Sequence, residues 1–189
     1  FLVWYDAASG TVTTFDGLAG IKLATPPSPV VVAILKAMGA NPVATPRTEI
    51  VLQLTQGQID GMGSVTDLTI SGGKLWEAGI KHAFADNAGW GTYLPLVSKA
   101  SLGKLTPEQQ KIVLDSWSEV VGWARDYSTA ELDKAIETNK AHGVIYHEPS
   151  AADIDAIRAR LVGEQDKIVS SSGMDADFVA RVKAALDAL

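Results

Sequence analysis

The sequence predicts an α/β domain, and three observations predict it. Short apolar runs of strand length alternate with short helical runs between residues 21 and 61. Proline and glycine separate them at nearly every junction. Apolar residues make up 47% of the 189-residue chain and charged residues 20%, enough for a core and too little charge for disorder. In layered α/β folds, function usually sits where strands end.

Phe1–Tyr5 reads as a strand, apolar for a free terminus, as if a preceding neighbour had been cut away. That implies a chain shorter than its gene product, whose first strand pairs with a missing N-terminal fragment, a second copy or a rearranged sheet edge. A Ser9-Gly10 turn leads to a β-prone run at Thr11–Phe15, then a helical or turn segment at Asp16–Gly20. Ile21–Ala24 is a brief buried strand. Ser28 and Pro29 suit the N-cap and first position of a helix reaching about Met38, with Val31, Ile34, Leu35 and Met38 inward.

The segment Gly39–Gly61 organises the rest. Pro42 and Pro46 bracket a strand. Thr48–Leu54 places Ile50, Val51 and Leu54 on one helical face, and Gly57 stops it. Ile59 marks a buried strand that emerges at an Asp60-Gly61 turn. Functional candidates are Arg47 on one side and residues 60–67 on the other.

A helix from Thr66 to Trp76 follows, weakened by Gly72-Gly73, then a strand over Gly79–Phe84. Asn87-Ala88-Gly89-Trp90-Gly91 is a loop with a large aromatic, and Tyr93–Val97 a strand disturbed by Pro95. Thr106-Pro107-Glu108-Gln109 is the clearest helix start, a capping box with proline at the first position. The helical period from Ile112 to Ile136 is bent, broken near Ser128-Thr129, or long enough to brace two lobes, and the brace is favoured. Trp76, Trp117 and Trp123 read as packed side chains. Gly143–Tyr146 is a strand, Ser150 caps a helix with Ile154, Ile157, Leu161 and Ile168 inward and Gly173 at its end, and Asp175 caps the last helix.

The net charge of −6 has no basic run within it, which argues against a nucleic-acid partner. Cysteine is absent, so thiol catalysis, disulfides and thiolate-bound metal are excluded. There is no apolar run of about eighteen residues to span a membrane. His82, His142 and His147 match no metal spacing and read as surface histidines. No nucleophile elbow, dinucleotide loop or phosphate loop is present, so neither an enzyme nor a cofactor is expected. Arg47 follows Pro46 at a strand-to-helix junction, where a guanidinium can hold a carboxylate; the plain alternative is a surface arginine paired with Glu49 or Asp86. Trp90, flanked by glycines, reads as a pocket wall.

Gly17–Leu23, Lys36–Pro42, Thr48–Leu54, Gln56–Gly61 and Leu105–Gln110 resemble stretches of the TRAP-transporter solute-binding proteins of the DctP type, the first of them against the family's DLKGLKIR. The resemblance runs over nearly the whole chain and lacks the family's signal peptide and most of its first lobe. It implies a periplasmic-binding-protein-like two-lobe clamshell in the periplasm, closing over a small organic acid and delivering it to TRAP permease subunits.

On that pattern residues 1–20 are connecting strands and a turn, and 21–86 the α/β region of the second lobe. Residues 87–104 cross to the first lobe, 105–142 form the bracing helix, and 143–189 return to the second lobe. The sequence departs from the family at the pocket. Ala24 stands where the family has its carboxylate-clamping arginine, Ser64 where it has asparagine, Met62-Gly63 where it has Gln-Glu, and Arg47 where it has a phenylalanine. The expected ligand residues are Arg47, Ser64, Thr25, Ala24, Asn87 and Trp90, with Arg47 supplying the displaced cation. A binding or interaction module that has lost the carboxylate site is the alternative.

Overall fold

The structure, a computed structural model, describes residues 12, 14–86 and 95–188, and the backbone of 2–5. Its centre is a six-stranded sheet of β1 (Leu2–Tyr5), β2 (Lys22–Thr25), β3 (Asn41–Ala44), β4 (Gly61–Met62), β5 (Ile80–Phe84) and β6 (Ile145–His147), in the order β3-β2-β4-β1-β5-β6. β2 runs parallel to β3 and β4, β5 runs parallel to β6, and β1 is antiparallel to both β4 and β5. Five strands therefore point one way and β1 alone runs against them. The first strand is thus an interior member of this chain's own sheet and needs no second fragment or copy to pair with.

Alternation along the strands divides the core into two layers. Leu23 and Phe84 face one side, with Phe15, Leu18, Leu35, Met38 and Ile157. That side is covered by a 3₁₀ turn (Phe15–Leu18), α1 (Pro29–Ala37) and α6 (Ala151–Gly163). Ala24 and Ala83 face the other, with Ile50, Leu54, Ile59, Ile70 and Ile80. There lie α2 (Ile50–Thr55) and α3 (Asp67–Gly72). A short α4 (Lys99–Leu102) precedes α5 (Pro107–Ala141), and α7 (Gln165–Ser171) and α8 (Ala176–Leu186) close the chain.

Pro42 sits within β3 because β3 is an edge strand: Asn41 and Thr45 donate inward to Ile21 and Thr25, so the proline nitrogen faces away from the sheet. Gly39 and Gly57 take φ of +99° and +67°, the left-handed turns that end α1 and α2. Thr106 caps α5 as its sequence predicts, accepting from the Gln109 N–H at 3.3 Å while the Gln109 side chain accepts from Thr106 N–H at 3.0 Å.

Several expectations need correction. Phe15 begins a 3₁₀ turn and Thr14 a bend, so no strand reaches Phe15. α2 starts at Ile50, and Val51 is 48% exposed because only Ile50 and Leu54 reach the core. The strand lies at Gly61–Met62, and Asp60 is locked at its N-terminal end. Its N–H donates to the Lys22 carbonyl and its carboxyl accepts from the Lys22 N–H, both at 2.8 Å. The helix drawn to Trp76 stops at Gly72, with Lys74 at φ +45°. Pro95–Val97 forms no strand, and Tyr93 and Leu94 lie outside the described residues. The long helix stands as favoured: α5 is unbroken over 35 residues, and the Ser128 and Thr129 hydroxyls donate back to the Ala124 and Arg125 carbonyls without ending it. Trp117 and Trp123 are 45% and 66% exposed, not packed. The single helix expected after Ser150 divides into α6 and α7 at Glu164.

Candidate functional site at the carboxyl ends of the parallel strands

The carboxyl ends of β2, β3, β4, β5 and β6 share one edge of the sheet, and β2, β3, β4 and β6 each lead there toward a turn or helix. β2 and β4 are neighbours, yet the chain leaves β2 for α1 on one face and β4 for α3 on the other. Diverging connections of this kind open a crevice outside the strand ends, the usual ligand position in open α/β sheets.

Thr25 ends β2. It is 1% exposed, its carbonyl accepts from Thr45 N–H at 3.0 Å, and its hydroxyl has no hydrogen-bond partner among the described residues. Across the crevice, Gly63 N–H donates to the Ala24 carbonyl at 2.8 Å and pins the loop after β4. The next residue, Ser64, is exposed and takes φ +60°, a left-handed conformation costing a non-glycine residue roughly 1–2 kcal/mol. Strain at an exposed polar residue beside a strand end is typical of binding loops. Arg47 lies in the turn between β3 and α2, exposed and without an ion pair among the described residues. Glu49, its expected alternative partner, instead accepts from the Gln53 side chain at 3.2 Å.

Ala24 is 1% exposed and belongs to the core under α2 and α3, where its methyl offers no polar group. The topology therefore brings Thr25, Arg47 and Ser64 to one edge and turns Ala24 inward. Asn87 and Trp90 lie outside the described residues. One cavity of about 420 Å³ lies between α1 and the C-terminal helices, lined by Ile34, Asp86, Ile154, Ile157, Leu161 and Met174.

Two polar groupings were not legible beforehand. His82 is 6% exposed, and its Nδ1 lies 2.9 Å from Nε2 of the half-buried His147, so the surface reading fails for His82, whereas His142 is exposed. Burial, and then the neighbouring His82, holds His147 below the ordinary imidazole value of 6.5. On the other face the Tyr146 hydroxyl donates to Asp67 Oδ1 at 2.6 Å, and the Asn139 side chain donates to Tyr146 Oη at 3.0 Å and to the Asp67 carbonyl at 3.1 Å. Burial, and then Asp67, raises the Tyr146 phenol far above its ordinary value. Each grouping joins residues 65 or more positions apart across at least one link, and only cross-chain pairing information could have found it.

The fold is thus an open, mainly parallel α/β sheet with a crevice at its strand ends and one long helix. Residues 4–171 match the family model for bacterial extracellular solute-binding proteins, family 7, and the chain belongs to that family. The 2,3-diketo-L-gulonate-binding periplasmic protein of Escherichia coli is 28% identical over 143 residues, 75% of this chain and 43% of the relative. The C4-dicarboxylate-binding periplasmic protein of Rhodobacter capsulatus is 27% identical over 180 residues, 95% and 53% of the two chains. The periplasmic ectoine-binding protein of the Halomonas elongata TRAP transporter shares the fold at a TM-score of 0.84, with 22% identity, over all of this chain and 61% of that one. The chain thus spans about half the length of the curated relatives it matches.

Proposed function

We propose that this chain carries the second lobe and bracing helix of an extracytoplasmic solute-binding component of a TRAP-type transporter. It captures a small organic acid by lobe closure and presents it to membrane permease subunits. The observation that carries the reading is the edge itself. Thr25 with an unpartnered buried hydroxyl ends β2, Ser64 in a left-handed conformation follows β4, and Arg47 without an ion pair among the described residues follows β3, all toward the same edge of the sheet.

Arg47 supplies the charge for a carboxylate, replacing the cation that Ala24 cannot. Thr25 and Ser64 donate hydroxyl hydrogen bonds to the acid's oxygens. Asn87 and Trp90, which follow β5 in the sequence, complete the wall. The first lobe covers the apolar face of α5, whose residues 107–130 include none that is buried in this chain. Relatives named for C4-dicarboxylate and for a diketo sugar acid support an acidic ligand in the periplasm.

A thermal-shift screen of mono- and dicarboxylates, aromatic acids and neutral polyols tests this, with Arg47→Ala alongside. At least one carboxylate raises the melting temperature of the native chain and not that of the variant. A neutral polyol acting equally on both favours the reshaped, non-carboxylate site that the buried Ala24 suggests.

A further inference from the structure

The first two-thirds of α5 has no buried residue, so its direction is set at its root. There Ala135 and Asn139 are buried, His142 stacks on Trp76 with ring centres 4.2 Å apart, and Lys140 lies over the Tyr146 ring. Ring stacking and apolar contact tolerate sliding; hydrogen bonds between buried groups do not. The directional part of the root is the chain from Asn139 to Tyr146 to Asp67, which ties the end of α5 and β6 to the first residue of α3.

Asp67 stands directly after the loop that carries Ser64, and Val65 within that loop is buried. The Thr69 hydroxyl accepts from Thr66 N–H at 3.4 Å and holds the loop to α3. We propose that Asp67, Asn139 and Tyr146 are positioning residues that couple the direction of α5 to the conformation of the loop bearing Ser64. The inference rests on the proposed binding role for its consequence: a change in helix direction is felt at the ligand edge, and the reverse.

The lever is long. A 35-residue helix measures about 52 Å, so a rotation of roughly 10° at the root moves its far end by about 9 Å. An apolar trio of similar shape would stabilise the root as well, but would not fix one geometry.

The chain has no cysteine, so spin labels can be placed at Glu119→Cys on α5 and Lys36→Cys on α1. Distances between them are measured by pulsed electron-spin resonance, with amide exchange read in parallel. Tyr146→Phe keeps the ring and its packing while deleting the hydroxyl; Asn139→Ala serves as the second variant. The distance distribution shifts or broadens, and the amides of Gly63, Val65 and Asp67 exchange roughly tenfold faster or more relative to those of Asn41 and Thr45, the consequence of one buried polar group left unpaired. An unchanged distance distribution overturns the inference, as does exchange that accelerates uniformly, which marks a loss of stability alone. Neither readout uses a ligand, so a chain that binds no acid refutes the proposed function and leaves the coupling to stand or fall separately.

Discussion

Arg47 is exposed and touches no partner among the described residues, so removing it costs the folded state little. Arg47→Ala changes unfolding free energy by less than about 0.5 kcal/mol, as for other surface sites; a larger loss in denaturant titration would make it a structural residue. His147 behaves differently. Its pKa is lowered in the folded state, so below the ordinary value of 6.5 the unfolded chain binds more protons. Stability is therefore complete above pH 6.5 and falls as pH drops below it, because a pair of ring nitrogens 2.9 Å apart needs one of them unprotonated. His147→Gln flattens that slope between pH 6.5 and 5, measured by denaturant unfolding at each pH. The turn positions of Arg47 and Ser64 were legible because proline and glycine mark those turns locally. The histidine pair was not, since strand pairing across 65 positions leaves no local trace.

The caps and stops of the helices were readable wherever the chemistry is local: Ser28-Pro29, Thr106-Pro107, Ser150 and Asp175 all mark observed starts. Burial was not. Trp117 and Trp123 lie on an apolar stripe of α5 that periodicity assigns to a core, yet they are 45% and 66% exposed. Their fluorescence is accordingly quenched by acrylamide in the native chain nearly as fully as in the unfolded chain; strong protection would mean that the stripe is covered. At the other end of α5, Tyr146→Phe leaves Asp67 and Asn139 buried without one partner each. It lowers stability by about 1–3 kcal/mol in equilibrium unfolding. The contrast between a costly root and a tolerant shaft is the expected signature of a helix held at one end.

For the whole molecule, alternating short elements and proline-glycine punctuation sufficed for the α/β class, and the family pattern for the clamshell. Strand order was beyond them. β1 enters antiparallel between β4 and β5, a placement that depends on closing a sheet over distant segments and for which the sequence left open a missing fragment, a second copy or a rearranged sheet edge. The consequence is a sheet that takes in the first strand of the chain and whose carboxyl edge is assembled from strand ends far apart in the sequence. The central claim, that this edge binds the acid, is tested most directly by amide chemical-shift mapping of the chain titrated with a carboxylate from the stabilising set. The account predicts shifts concentrated at Thr25, Thr45, Arg47, Gly63 and Ser64 that disappear in Arg47→Ala. Shifts confined to the cavity beside Ile34 and Ile157, or unchanged by the loss of Arg47, would contradict it.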